Sequence, residues 1–156
     1  MNRNYLVPVL LASVFALSAT VLSGNAVSSA SPGDGQKIVV HLSKYTNDLH
    51  AAFMAFKLAD AMQLQGARVT VLVDLEGVRI ADKRNPLEMR WGSNPATLAE
   101  VYDTFINGGG KVILCPHCAA AAGVAGNALR DGAMIGVPDE QTIPKLLVEA
   151  DKILDY

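Results

Sequence analysis

Cysteine is scarce in this 156-residue chain, which has only Cys115 and Cys118. A bridge between positions so close would remove little unfolded-state entropy, so the pair is poorly suited to stapling a fold and better suited to reactivity. Strong charge is also missing. The chain carries 13 Lys and Arg against 15 Asp and Glu, a net charge of −2, and so mild an acidic balance argues against nucleic acid as a partner. There are no paired carboxylates at catalytic spacing and no serine nucleophile motif. Gly108-Gly109-Gly110 lacks the Gly-Lys-Ser/Thr ending of a phosphate-binding loop and leads toward a strand rather than a helix. No internal repeat or low-complexity segment is visible.

Apolar sequence without charge is found at the N-terminus. Arg3 precedes an uncharged stretch, residues 5–22, rich in Leu, Val and Ala, and small residues follow at Gly24-Asn25-Ala26 and Ser28-Ser29-Ala30. That layout is a secretory signal peptide over residues 1–30. An uncleaved anchor is the rival reading, because a run of about 18 apolar residues approaches a membrane span. No cysteine lies near the cleavage region, which excludes a lipoprotein anchor. Cleavage would place the chain in the periplasm or outside the cell, with no stable membrane anchor. Without Arg3 the balance is 12 basic against 15 acidic residues, a net −3. Residues 31–36 read as a flexible leader, and residues 37–156 as one domain large enough for a single core.

Along that domain short β-rich runs alternate with helical patterns. Residues 37–42, 69–73 and 112–114 are nearly continuous in apolar residues, as buried parallel strands are. Between the first two, Leu49, Ala52, Phe53, Phe56, Ala59 and Met62 recur at spacings of three and four, which predicts a helix that starts near Thr46-Asn47-Asp48 and stops at Gly66. Residues 97–106 predict a second helix, 119–129 a third interrupted by Gly123 and Gly126, and 143–150 a fourth; residues 133–137 and 152–156 predict the last strands. Residues 76–95 show no sustained period and read as a long excursion, open to being a lid, disorder or an oligomer contact. Within it Trp91 reads as a buried residue and Lys83-Arg84 as a solvated charge pair. The alternation predicts an α/β sandwich with a mostly parallel sheet of about five strands, whose reactive groups gather at the carboxyl ends.

Cys115-Pro116-His117-Cys118 falls at one such end, after Val112-Ile113-Leu114 and before an alanine-rich stretch. Cysteines at i and i+3 of a strand-to-helix turn would lie on one side of the first helical turn, where free N–H groups and the helix dipole favour a thiolate. His117 would stabilise the thiolate as a nearby cation, or is simply a solvated turn residue. His41, within the first strand, reads as a satisfied core residue, and His50 as a surface or capping residue.

Gly109-Gly110-Lys111-Val112, the strand, Cys115, the Ala-rich stretch and Gly123 resemble the DsrE/DsrF-like family of sulfur-relay proteins. Ser43 to Asp48, the helix after them, Gly66, and Leu146 to Leu154 extend the resemblance to both ends of the mature chain. It implies a Rossmann-like three-layer fold, assembly as a trimer or hexamer, and sulfur carried as a persulfide at Cys115. Partners would be sulfur donor and acceptor proteins or small thiols, and no cofactor is implied. The apparent export and the second thiol, Cys118, depart from the usual relay members.

Two other uses of the motif stand beside that one. As a thiol-disulfide oxidoreductase, the chain would cycle a Cys115–Cys118 disulfide. Cys-Pro-His-Cys is also the motif of DsbA-type oxidases, and Val137-Pro138 would imitate their cis-proline, yet only 38 residues follow Cys118 here. As a soft-metal module for an ion such as Cu(I) or zinc, Cys115, Cys118 and His117 fall one ligand short of a closed tetrahedral site unless another residue or subunit contributes. The motif alone leaves open whether the chain is an enzyme or a carrier.

Overall fold

The computed structural model describes residues 30–156. The signal peptide read over residues 1–30 lies, except for its last residue, outside the described residues. Five strands form one sheet: β1 (Lys37–Leu42), β2 (Arg68–Val73), β3 (Lys111–Leu114), β4 (Ala133–Ile135) and β5 (Lys152–Asp155). All neighbours pair in parallel, in the order β4-β3-β2-β1-β5. The helices are α1 (Leu49–Gln63), α2 (Leu98–Asn107), α3 (Pro116–Ala121) and α4 (Thr142–Val148).

That order explains the layering. From β1 to β4 the chain steps along the sheet in one direction, and right-handed crossovers then place the connections on one face. The return from β4 to β5, on the far side of β1, reverses direction and carries α4 to the other face. The first face holds the main core, with Phe53, Phe56, Tyr102 and Phe105 fully buried against Val40, Val71 and Val112. On the second face Val39, Leu72 and Ile113 pack with Ile143, Leu146, Leu147 and Ala150 of α4 and the turn after it. Both faces of the central strands are covered, which is why those strands lack a polar alternation.

Local signals set the helix ends. Asp48 accepts from the Ala51 N–H at the start of α1. Thr97 and Glu100 close a reciprocal capping box on α2. Pro116 occupies the first position of α3, where its missing N–H costs nothing. The helix anticipated over 119–129 instead starts at Pro116 and ends before Gly123, which takes a left-handed φ of 67°. Where the sequence reads a flexible leader, Ser31 to Gln36 make a turn: the buried Gly33 donates to the Gln65 carbonyl beyond α1, and Asp34 accepts from the Ser31 N–H.

The excursion after β2 is packed. Leu75–Ala81 is a 3-10 helix with Gly77, Val78, Ile80 and Ala81 buried, and Leu87 is buried further on. Gly77 passes so close to the end of β1 that a Cβ would overlap the Leu42 carbonyl. Asp82, only 3% exposed, receives both Nε and Nη2 of Arg84, while the same Nη2 donates to the Gly123 carbonyl at 2.7 Å. Arg84 is thus no merely solvated cation: it ties this segment to the end of α3, the helix that carries Cys118. Trp91 is not buried but 41% exposed, stacked on His50 with ring centroids 3.8 Å apart.

Candidate functional site

Val112, Ile113 and Leu114 hold β3 in the sheet centre, and the Cys115 N–H donates to the Val73 carbonyl at 2.9 Å, extending the ladder by one bond. The chain then turns, with Cys115 as N-cap of α3 and Cys118 at its third position. Both sulfurs are free thiols on half-buried residues. The i, i+3 spacing puts the two side chains on one side of the first helical turn. His117 sits on the exposed side of the same turn.

Two clefts meet at Cys115. One, of about 440 Å³, is lined by Cys115, Pro116 and His117 from the motif, by Gly136, Val137 and Pro138 after β4, and by the first turn of α4. Val137-Pro138 therefore does face the cysteine segment, in the trans form, since the described residues contain no cis peptide bond. The other, of about 400 Å³, is lined by Cys115, His41, Leu72, Asp74, Asp155 and apolar side chains of α4 and β5. Cys115 and Ile143 belong to both.

The second cleft contains what the sequence reading missed. His41 is not a satisfied core residue. Its Nδ1 lies 2.5 Å from Asp155 Oδ1 and its Nε2 lies 3.0 Å from Asp74 Oδ1, with the ring partly exposed. Strand alternation puts Lys37, Val39 and His41 on the α4 face of β1. Register then places Asp155 beside His41, and Asp74 follows the end of β2 between His41 and the cysteines. A histidine two residues after a buried valine, at the carboxyl end of the first strand, is the signal that could have found it.

Burial works against a charged imidazole here, but the carboxylates of Asp74 and Asp155 outweigh it and raise the His41 pKa above its usual 6.5. A raised folded-state pKa means that the protonated ring stabilises the fold fully below 6.5, and that this contribution is lost as pH rises through the higher folded value. The urea midpoint of the native chain should therefore fall between about pH 6 and pH 8 more than that of His41→Gln. Parallel curves for the two proteins would contradict this pairing.

Cys118 is perturbed in the direction opposite to a reactive thiolate. Burial pushes its thiol up, the nearby Leu75 N–H offsets this in part, and the Cys115 sulfur and the Asp74 carboxylate push it up further. Leu75 itself has a left-handed backbone, φ 42°, and is 63% exposed. Such strain in a non-glycine residue tends to be kept at functional sites. The arrangement separates the two cysteines into a thiol at the helix cap, open to both clefts, and a partner held protonated behind it. His50 lines neither cleft and stacks on Trp91. Among the described residues no cluster of three His, Cys, Asp or Glu side chains is placed to hold a metal ion.

Two solved structures share this architecture. The YchN protein from E. coli superposes with a TM-score of 0.58 at 19% sequence identity, covering 78% of this chain and 98% of that one. MTH1491 from Methanobacterium thermoautotrophicum, a protein of unknown function, superposes with a TM-score of 0.54 at 13% identity, covering 78% and 99%. No protein-family model matches the chain, and no curated protein sequence matches it. At these identities the likeness establishes the fold: a five-stranded parallel α/β sandwich of the Rossmann-like kind, shared with YchN and MTH1491.

Proposed function

We propose that this chain is an exported DsrE-like sulfur carrier in which Cys115 accepts and passes on sulfane sulfur as a persulfide. The observation that carries the reading is the position of Cys115, at the carboxyl end of β3 where two clefts meet. Parallel α/β folds bind their ligands at that edge. The resemblance of the Gly109 to Gly123 segment to sulfur-relay proteins supplies the chemistry, and the N-terminal signal pattern supplies the periplasmic or secreted location.

In the loading step the Cys115 thiolate attacks the outer sulfur of a donor persulfide or polysulfide. A new S–S bond forms on Cys115, the donor S–S bond breaks, and the donor leaves with the electron pair as a thiolate that takes up a proton. An acceptor thiolate then attacks the outer sulfur, and Cys115 leaves as thiolate. Cys118 opens a second exit: it gives up its proton and attacks the inner sulfur, which expels hydrosulfide to take up a proton and closes a disulfide that an external dithiol must reduce. His117, exposed beside the cleft, meets the incoming donor. Donor and acceptor are thiol proteins or small thiols. Leu64, Val148 and Ile153, exposed at 76%, 87% and 52%, supply apolar surface for the homo-oligomer, a trimer or hexamer, that the resemblance implies.

A second reading, thiol-disulfide exchange, is favoured by one observation: Cys115 and Cys118, both free thiols, stand three residues apart at the first turn of α3. Intact mass spectrometry of the reduced protein after incubation with polysulfide separates the two. A carrier gains one sulfur per chain. Loss of two hydrogens with no sulfur gained would replace the carrier by a dithiol/disulfide couple.

A further inference from the structure

We propose that His41 is a positioning residue that, acting through Asp74, sets the reactivity of the cysteine pair. The inference requires only that Cys115 and Cys118 react as thiols, and so it stands whether they carry sulfur or exchange disulfides.

Both ring nitrogens of His41 face carboxylate oxygens, Nδ1 toward Asp155 at 2.5 Å and Nε2 toward Asp74 at 3.0 Å. A neutral imidazole has one N–H and one lone pair, so it would turn a lone pair toward one of the two carboxylates. Only the imidazolium presents an N–H and positive charge to both. Asp74 Oδ1 is buried and has no well-aligned hydrogen-bond donor, so the nearby ring charge is its main compensation. The titratable groups facing His41 in the cleft are Asp74 from the end of β2, Asp155 from β5 and Cys115 from the end of β3; α4 contributes only Ile143 and Leu147 there.

Asp74 lines the same cleft as His41 and Cys115, and behind burial and the Cys115 sulfur its carboxylate also opposes loss of the Cys118 proton. While His41 is protonated, a positive charge beside Asp74 cancels much of that effect. When His41 loses its proton, a bare carboxylate is left in the cleft beside Cys115 and close enough to oppose ionisation of Cys118 behind it. Thiolate formation is therefore tied to the protonation of a histidine on a strand two places away in the sheet. Asp155, with its side chain 80% exposed, clamps the ring from the solvent side.

The test is the rate of iodoacetamide alkylation at Cys115 and Cys118, read separately by peptide mass spectrometry across pH, for the native chain, His41→Gln, Asp74→Asn and the double variant. Asp74→Asn, which keeps the side-chain shape, should speed alkylation of Cys118 near neutral pH by roughly two- to threefold. His41→Gln should slow it by a similar factor when Asp74 is present and leave it unchanged in the Asp74→Asn background. His41→Arg, which keeps the cation, should restore much of the rate. An Asp74→Asn rate equal to the native one overturns the inference even if the His41 variants fold poorly. So does a His41→Gln effect of the same size with and without Asp74.

Discussion

Cys115→Ser should keep its fold and take up no sulfane sulfur, the loading falling from one sulfur per chain to background. The fold should survive because Cys115 makes no side-chain capping bond to α3, and serine is among the favoured N-cap residues. Loading should vanish because a serine hydroxyl is not ionised at neutral pH and no second thiol faces both clefts. Cys118→Ser should behave differently: it loads as the native chain does, but holds its persulfide, since the internal attack that expels hydrosulfide is gone. Intact mass before and after addition of a thiol-free buffer reads this directly. Loading that survives Cys115→Ser, or a Cys118→Ser persulfide that decays as fast as the native one, would remove these roles from the two residues.

The largest stability effect should come from Phe56→Ala. Phe56 is fully buried where α1 and α2 meet the sheet, with its ring 5.2 Å from that of Tyr102 and 5.7 Å from that of Phe105. Removing the ring deletes buried apolar surface and leaves a cavity that two helices and a sheet cannot close, a loss of about 3–5 kcal/mol. Set against a typical domain stability of about 5–15 kcal/mol, that is a large share. Phe56→Leu, which keeps most of the volume, should cost less. Urea unfolding followed by far-ultraviolet circular dichroism measures both. A Phe56→Ala midpoint within error of the native one would mean that this contact does not organise the core.

Most of the framework was legible because it rests on periodic burial. The apolar runs of β1, β2 and β3 and the three-four spacing of Ala52, Phe53, Phe56 and Ala59 report which residues face the core, and those features are local. The cysteine pair was legible for the same reason, as a strand followed by Pro116 at a helix start. The segment after β2 was not, because Val78, Ile80, Ala81 and Leu87 are buried in a 3-10 turn and an extended run, neither of which has a helical or strand period. Arg84 looked solvated because its guanidinium is largely exposed, and its partner Asp82 is buried by residues far away in sequence. His41 was hidden for a further reason. Its partners come from the ends of two other strands, one of them the last in the chain, and only the order β2-β1-β5 places all three together.

The central claim is that sulfur resides on Cys115, and fragment-ion mapping of the polysulfide-treated Cys118→Ser protein tests it most directly. The added sulfur should be found on the Cys115 peptide, at about one per chain, and should be removed by a dithiol reductant. Sulfur on no cysteine, with the chain otherwise folded, would contradict the account.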